Sequence, residues 1–94
     1  MPVLGDEQIS ERLAAHAGWS AAEGASIARD FKFPDFRAAM AFVNLVADAA
    51  EEQNHHPDIL IHGWNKVRLT LSTHSQGGLT GADFALAELI DALD

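Results

Sequence analysis

The sequence contains no cysteine, which excludes disulfide bridges and thiolate catalysis. Basic residues are few, since 6 Lys and Arg stand against 14 Asp and Glu, and the formal net charge is -8. So acidic a surface repels the phosphates of nucleic acids and of anionic membranes. The chain also lacks an apolar run of the ~18 residues that a membrane span needs, and its start lacks the pattern of a secretory leader. We therefore expect a cytoplasmic protein that binds neither nucleic acid nor a membrane.

Low-complexity segments and linkers are absent from the sequence as well. With 94 residues, 48% of them hydrophobic, and only 3 prolines, the chain has the composition of one globular unit. A chain of this length buries ~65% of its surface on folding, which is enough for one core. We expect a single domain over residues 1–94.

The first third of the sequence predicts a helix followed by a hairpin. Asp6 is a candidate N-cap for a helix over residues 7–16, and Gly18 ends this helix. Beyond Trp19, apolar residues alternate with polar ones, which is the period of a strand with one buried face. The residues that share the buried face are Ile27, Phe31 and Phe33.

The longest helical pattern begins after Pro34. Asp35 is its candidate N-cap, and the helix should end near Asn54, because Pro57 cannot continue a hydrogen-bonded turn. Apolar residues step by four and three along one side of this helix, which predicts a stripe facing the core. The members of this stripe are Phe36, Met40, Val43, Ala47 and Ala50.

A second hairpin and a last helix complete the pattern. Residues 58–62 and 67–74 form the two strands of this hairpin, and alternation places His74 on the polar side of the second strand. Thr80 and Asp83 are spaced as a capping box that begins a helix. The strand residues predicted to be buried are Val67, Leu69 and Leu71, and the apolar stripe of the helix is Leu86, Leu89, Ile90 and Leu93.

The order of these elements predicts the fold class. The succession α-β-β-α-β-β-α gives an α+β protein in two layers, with a four-stranded antiparallel sheet and three helices on one face. The second face and the outer edge of the sheet have no cover within so short a chain. We therefore expect a homodimer or homotetramer, and Phe84, which lies off the stripe of the last helix, is a candidate contact residue.

The five histidines are the strongest candidates for catalytic groups in this chain. Zinc is disfavoured because the side chains of His55 and His56 diverge in either a helix or a strand, and no His-x-x-x-His pair is present. Nucleophilic hydrolysis lacks both a cysteine and a Gly-x-Ser-x-Gly elbow. General acid–base chemistry remains, because an imidazole held by a carboxylate exchanges protons near neutral pH. The candidate groups are His55, His56, His74, Glu51 and Asp83.

Each candidate also has an ordinary structural interpretation. Glu51 can be a solvated helix residue, Asp83 can serve only as a helix cap, and His55 can interact with the dipole at a helix C-terminus. His16 and His62 have no evident partner, and we interpret them as surface residues. The pattern by itself leaves both the acid–base enzyme and these structural roles open.

One motif narrows the choice, and its members are Glu51, His55, His56, Pro57, Trp64, His74 and Asp83. At this spacing the motif closely resembles the pattern of the pterin-4a-carbinolamine dehydratases. The resemblance extends over nearly the whole chain, because "GW" after the first helix and "GLT" before the last are similar too. The alternation of hairpins and helices known for that family agrees with the order of elements predicted above.

The resemblance implies an activity and a set of roles. The implied reaction is the dehydration of a 4a-hydroxytetrahydropterin to the quinonoid dihydropterin in tetrahydrobiopterin recycling, with no metal and no cofactor. His55 and His74 would be the acid–base pair, and His56 would bind and orient the pterin. Glu51 and Asp83 would orient imidazoles or ring NH groups. The pterin edge would also be lined by Pro57 and by the backbone around Thr73, Ser75 and Gln76.

Two departures from the family pattern affect the packing beside the pterin. Ile59 stands where animal members have an aromatic residue, and the hairpin that leads to Trp64 is one residue longer. Both leave the catalytic set intact. An alternative function is a non-catalytic module that binds or assembles another protein through its open sheet face, as some relatives do. A third, a metal-dependent hydrolase, would require bound zinc.

Overall fold

A computed structural model describes residues 2–94 of the chain. Its elements are α1 (Asp6–Ala15), β1 (Ser20–Ala22), β2 (Ser26–Lys32), α2 (Phe36–Gln53), β3 (Asp58–His62), β4 (Lys66–Leu71) and α3 (Gly81–Leu93). A single 3₁₀ turn, His74–Gln76, lies between β4 and α3. The predicted α-β-β-α-β-β-α order and α+β class are confirmed. Within the described residues, none of the helices is both long and apolar enough to cross a membrane.

The four strands form one antiparallel sheet in the order β1-β2-β4-β3. The central pair, β2 and β4, is in a register that places Phe31 opposite Val67 and Ile27 opposite Leu71. These residues share one face with Leu69, and all five are buried against the helices. The predicted buried face is therefore confirmed for these strand residues, whereas Phe33 follows β2 and is half-buried. The two edges of the sheet are β1 and β3.

Both ends of α2 follow local sequence signals. The Asp35 carboxylate accepts from the backbone N–H of Ala38 at 2.7 Å, which confirms the predicted N-cap. At the other end, Asn54 adopts the left-handed conformation with φ 50°, and its N–H reaches the carbonyl groups of Ala50 and Glu51. Asparagine tolerates this conformation better than most residues, so the helix ends as predicted and the chain turns sharply before β3.

The buried face of α2 differs from the predicted one. Of the predicted stripe only Ala50 is buried, whereas Phe36 and Ala47 are exposed and Met40 and Val43 half-buried. The other buried members of this helix are Ala39, Phe42, Val46 and Ala49. The Phe42 ring packs 4.7 Å from Phe31 and 5.0 Å from Phe33, so this cluster with the hairpin determines which side of the helix faces the sheet. Both sides of α2 carry apolar residues, and only the tertiary contact chooses between them.

Two smaller predictions were wrong. Gly5, and not Asp6, is the N-cap of α1, and its N–H donates to the Gln8 side chain at 2.9 Å. Phe84 does not offer a contact to a second copy, because it is buried in the core with its ring 5.9 Å from that of His16. The buried side of α3 therefore includes Phe84, whereas Leu89 of the expected stripe is exposed.

Candidate active site

The register of β3 against β4 brings the candidate residues to one end of the sheet. Asp58, the first residue of β3, lies opposite Thr70, the last but one of β4. The residues just before Asp58 and just after β4 therefore leave the sheet at the same end. This end holds the His55–Pro57 segment, the loop from Ser72 to Leu79, and the first turn of α3.

His55 forms a close pair with Asp83 at this end. Its Nε2 atom lies 2.6 Å from Oδ1 of Asp83. The left-handed turn at Asn54 directs the chain so that the His55 N–H still bonds to the Ala50 carbonyl while its side chain points to α3. The imidazole is 14% exposed and the carboxylate 0%. A pair so shielded from water interacts strongly and has little freedom to move.

The second oxygen of Asp83 is held by two further donors. Oδ2 accepts from the hydroxyl of Thr73 at 2.7 Å and from the backbone N–H of Thr80 at 2.9 Å. Thr80 in turn caps α3 by accepting from Ala82 N at 3.2 Å, so the predicted capping box is present. Asp83 is therefore both the capping-box residue and the partner of His55, because one oxygen completes the cap and the other faces His55.

His56 and Glu51 form a second pair of a different kind. Nε2 of His56 lies 2.5 Å from Oε2 of Glu51, one helical turn back on α2. Here the imidazole is 60% exposed and the carboxylate 75%. Glu51 is thus both a solvated helix residue and the partner of a histidine. Because water screens such a pair, both side chains remain free to rearrange around a ligand.

His74, Ser75 and Gln76 lie together on the exposed 3₁₀ turn that follows β4. The prediction that His74 continues β4 was wrong, because the strand ends at Leu71 and a bridge between Thr73 and Gly78 closes the loop. Thr73, the residue before His74, contacts Asp83 through its hydroxyl. The 3₁₀ turn therefore begins directly after a residue that contacts the carboxylate paired with His55. Pro57 is half-buried and begins the chain into β3.

The structure separates other predicted residues from this group. Trp64 lies in the β3–β4 turn with φ 58° and is 60% exposed. It is therefore at the opposite end of β3 from His55 and His56. His62 is exposed on the open face of the sheet near that turn, as expected for a surface residue. His16 is half-buried against Phe84, which corrects its interpretation as a surface residue.

Sequence reasoning missed two residues that shape the site. Asn54 directs His55 toward α3, and asparagine before a His-His-Pro run was a usable signal for a left-handed helix end. The Thr80 side chain, recognised only as a cap, also contacts the hydroxyl of Thr73 at 2.9 Å. Among residues 2–94, no three histidine or carboxylate side chains converge as metal ligands would.

The arrangement defines a class: a small α+β protein with two histidine–carboxylate pairs at one end of its sheet. A family model described as Pterin 4 alpha carbinolamine dehydratase matches residues 2–93. The chain belongs to this family. The match covers all of the candidate residues and every element of the fold.

Relatives and solved structures agree with this assignment. A protein of Roseiflexus castenholzii, named provisionally as a pterin-4-alpha-carbinolamine dehydratase, is 50% identical over 97% of this chain and 96% of its own length. One of Chloroflexus aurantiacus with the same name is 50% identical over 99% of this chain and 98% of its own. The crystal structure of a transcriptional coactivator/pterin dehydratase from Brucella melitensis superposes with a TM-score of 0.91 at 37% identity, covering 97% of both chains.

A second similar structure belongs to a protein with a different function. It is a pterin dehydratase-like protein identified as a RuBisCO assembly factor in the alpha-carboxysome. It matches with a TM-score of 0.69 at 29% identity and covers 83% of this chain and 90% of its own. The family fold therefore accommodates more than one kind of protein.

Proposed function

We propose that this protein dehydrates a 4a-hydroxytetrahydropterin to the quinonoid dihydropterin and so takes part in tetrahydrobiopterin recycling. The observation that carries the proposal is the His55–Asp83 pair, with 2.6 Å between Nε2 and Oδ1 and a carboxylate that is completely buried. The family, and relatives with the corresponding name, support the same reaction.

The reaction requires two proton transfers and no change of overall oxidation state. The bond between the ring carbon and its hydroxyl oxygen breaks, and the oxygen leaves as water after it receives a proton. The neighbouring ring nitrogen loses its proton, and the electrons of that N–H bond form the new double bond to carbon. Positioned imidazoles typically contribute about 10²–10⁴ in rate to such transfers.

Each candidate residue has a role in this reaction. His55 and His74 exchange the protons, because one is held rigidly by Asp83 and the other lies on the adjacent exposed turn. His56 binds and orients the pterin, since its pair with Glu51 is exposed and can adjust to a ligand. The remaining contacts to the pterin edge come from Pro57 and from the backbone around Thr73, Ser75 and Gln76.

We propose that the protein uses neither a metal nor a cofactor. The Nε2 atoms of His55 and His56 face two different carboxylates, so the two rings do not share a ligand position. Proton transfer by imidazole alone is sufficient for the loss of water. A chelator should therefore leave the activity unchanged, whereas a zinc enzyme would lose it.

The assay that tests this function follows quinonoid dihydropterin after mixing the protein with freshly generated carbinolamine. We expect formation above the spontaneous rate. The substrate's own acid-catalysed dehydration is subtracted. A rate equal to the spontaneous one at every protein concentration would refute the proposal.

The second candidate function is non-catalytic assembly of another protein. It is favoured by one observation, the structural similarity to the RuBisCO assembly factor. This chain retains every histidine and carboxylate of the catalytic motif, which supports the enzyme instead. The two functions separate in one comparison, because an assembly role should survive His55→Ala and His74→Ala whereas the dehydratase activity should not.

We also propose that the protein is a homodimer, or a homotetramer built from such dimers, in which β3 pairs with β3 of a second copy. Antiparallel pairing centred on Leu60 would place Asp58 opposite the second copy's His62, and Ile59 opposite its Ile61. The edge is therefore complementary to itself in both charge and apolar character. All residues of β3 except Ile61 are exposed, and no strand within residues 2–94 pairs with its outer edge.

Light scattering at micromolar concentration tests this dimer. The parent should have at least twice the mass of the chain, and Leu60→Lys should be a monomer, because it would oppose two ammonium groups at the two-fold axis. Leu45→Lys, the same change at an exposed leucine of α2, is the matched control and should leave the dimer intact. A monomeric parent would refute the proposal.

A cytoplasmic location, without nucleic-acid or membrane partners, is also part of this proposal. The lack of cysteine and the net charge of -8 support it. Fractionation of cells that express the full chain would test it, and recovery with membranes or nucleic acid would contradict it.

A further inference from the structure

Two buried or half-buried hydroxyl groups connect the first turn of α3 to the His55 imidazole. The N–H of Ala82 donates to Oγ1 of Thr80 at 3.2 Å, and this oxygen lies 2.9 Å from Oγ1 of Thr73. The Thr73 hydroxyl reaches Oδ2 of Asp83 at 2.7 Å. The other oxygen of Asp83 faces Nε2 of His55 at 2.6 Å. The contacts therefore form one continuous hydrogen-bonded chain.

The direction of each proton in this chain follows from the groups it contains. Backbone N–H groups only donate, so Oδ2 of Asp83 accepts from the N–H of Thr80. Thr73 has one hydroxyl proton, and because it donates this proton to Asp83, its oxygen accepts the proton of the Thr80 hydroxyl. Two donors on one oxygen suit an ionised carboxylate, which only accepts. An ionised Asp83 cannot donate, so the proton between its Oδ1 and His55 then belongs to Nε2 of the imidazole.

We propose that Thr73 and Thr80 are positioning residues that keep Asp83 as an acceptor and thereby hold neutral His55 as its Nε2–H tautomer. The lone pair of His55 is then on Nδ1, and this nitrogen exchanges the proton with the substrate. The identity of the substrate rests on the function proposed above, whereas the tautomer does not depend on it. Thr73 thus acts through its hydroxyl on Asp83, beyond the backbone contact to pterin suggested by the family resemblance.

The tautomer can be measured directly on the full chain. Long-range ¹H–¹⁵N correlation spectra at a pH above the imidazole range distinguish a protonated ring nitrogen from one with a lone pair. The His55 signals are identified by their loss in His55→Ala. We expect the proton on Nε2 in the parent protein. A dominant Nδ1–H form would overturn the proposal.

Asp83→Asn gives the strongest contrast in the same spectrum. The carboxamide oxygen must stay with the donors Thr73 and Thr80, so the NH₂ group turns to His55 and can only donate. His55 then has to accept at Nε2 and moves its proton to Nδ1. We expect this reversal, and an unchanged tautomer would contradict the proton directions. If this variant does not fold, as judged by circular dichroism, the threonine variants below decide the question.

The threonines are tested by kinetics with matched controls. Thr73→Val removes the hydroxyl donor to Asp83, and we expect kcat to fall about ten-fold, with KM within about two-fold, because the lost bond fixes the carboxylate that orients His55. Thr73→Ser should restore kcat. Thr80→Val should act in the same direction, and Thr80→Ser should restore it. Ser72→Ala, which removes a neighbouring hydroxyl that donates to the Ala25 carbonyl, should change neither constant.

The outcomes separate this inference from the proposed function. In Thr73→Val the spectrum should also show a measurable share of the Nδ1–H form, because the carboxylate is less firmly held. An unchanged kcat, or a rise in KM alone, would show that the hydroxyl does not act through Asp83. If the parent protein had no dehydratase activity, the proposed function would fail, and the tautomer spectra of parent and variants would still decide this inference.

Discussion

The two histidine–carboxylate pairs of this protein have nearly the same length and opposite surroundings. Nε2 lies 2.6 Å from its carboxylate in His55–Asp83 and 2.5 Å in His56–Glu51. In the first pair the imidazole is 14% exposed and the carboxylate 0%. In the second pair the imidazole is 60% exposed and the carboxylate 75%. A distance alone would not distinguish them, although the two histidines are neighbours in the sequence.

Their surroundings determine what each pair can do. Removing one partner of a buried pair typically costs about 3–5 kcal/mol, because the other group is left without a partner, whereas an exposed pair contributes about 0–1 kcal/mol. Asp83 is also fixed by Thr73 and Thr80. Within residues 2–94, the side chain of Glu51 has one hydrogen-bond partner, His56. A fixed pair suits proton transfer, which depends on geometry, and an adjustable pair suits ligand binding.

The largest expected effect is the kinetic contrast between the two histidines. His55→Ala should lower kcat by about 10²–10⁴, the usual contribution of a positioned acid or base, because it removes an interaction made in the transition state. His56→Ala should raise KM with a much smaller change in kcat. Steady-state kinetics of the two variants check this contrast. Equal losses of kcat would show that burial does not separate their roles.

The next effect is on stability. Asp83→Ala should destabilise the protein by about 3–5 kcal/mol, because His55, Thr73 and the Thr80 N–H all lose their acceptor. For a domain of this size each kcal/mol shifts Tm by about 4–8 °C, so a fall of more than about 10 °C is expected. Glu51→Ala, the matched change in the exposed pair, should cost at most about 1 kcal/mol. Thermal unfolding followed by circular dichroism measures both losses of stability. Equal losses in Asp83→Ala and Glu51→Ala would contradict the difference between the buried and the exposed pair.

The smallest effect is the response to salt. Raising the ionic strength from ~0.01 M to ~1 M shortens the screening length from ~30 Å to ~3 Å and weakens exposed pairs selectively. We expect the KM of the parent protein to change about two-fold through His56–Glu51, with less change in kcat. Glu51→Gln should remove most of this dependence. A salt effect on kcat that exceeds the effect on KM would contradict the assignment of the exposed pair to binding.

Local signals in the sequence predicted much of the fold. Asp35, Pro57 and the Thr80–Asp83 spacing act within one or two turns of chain, and each defined a helix end correctly. The buried face of β4 followed from alternation, because Val67, Leu69 and Leu71 alternate with more polar residues there. The buried side of α2 did not, since apolar residues surround much of this helix and the contact of Phe42 with Phe31 and Phe33 decides its rotation.

The candidate site was predictable in its members and not in its pairing. The motif and the family resemblance identified His55, His56 and Asp83. His55 and Asp83 are 28 residues apart, and their contact depends on the left-handed turn at Asn54 and on where α3 packs. The contact of the Thr73 hydroxyl with Asp83 also depends on tertiary structure, because the bridge between Thr73 and Gly78 closes the loop that carries Thr73. Such contacts exist only once the whole chain has folded.

The most direct test of acid–base dehydration by this site is the rate of quinonoid dihydropterin formation by the double variant His55→Ala, His74→Ala. This rate should fall to the spontaneous value in the folded variant, while the control Leu45→Ala, at an exposed residue of α2 outside the site, should keep the rate of the parent. Full activity in the double variant would contradict the account.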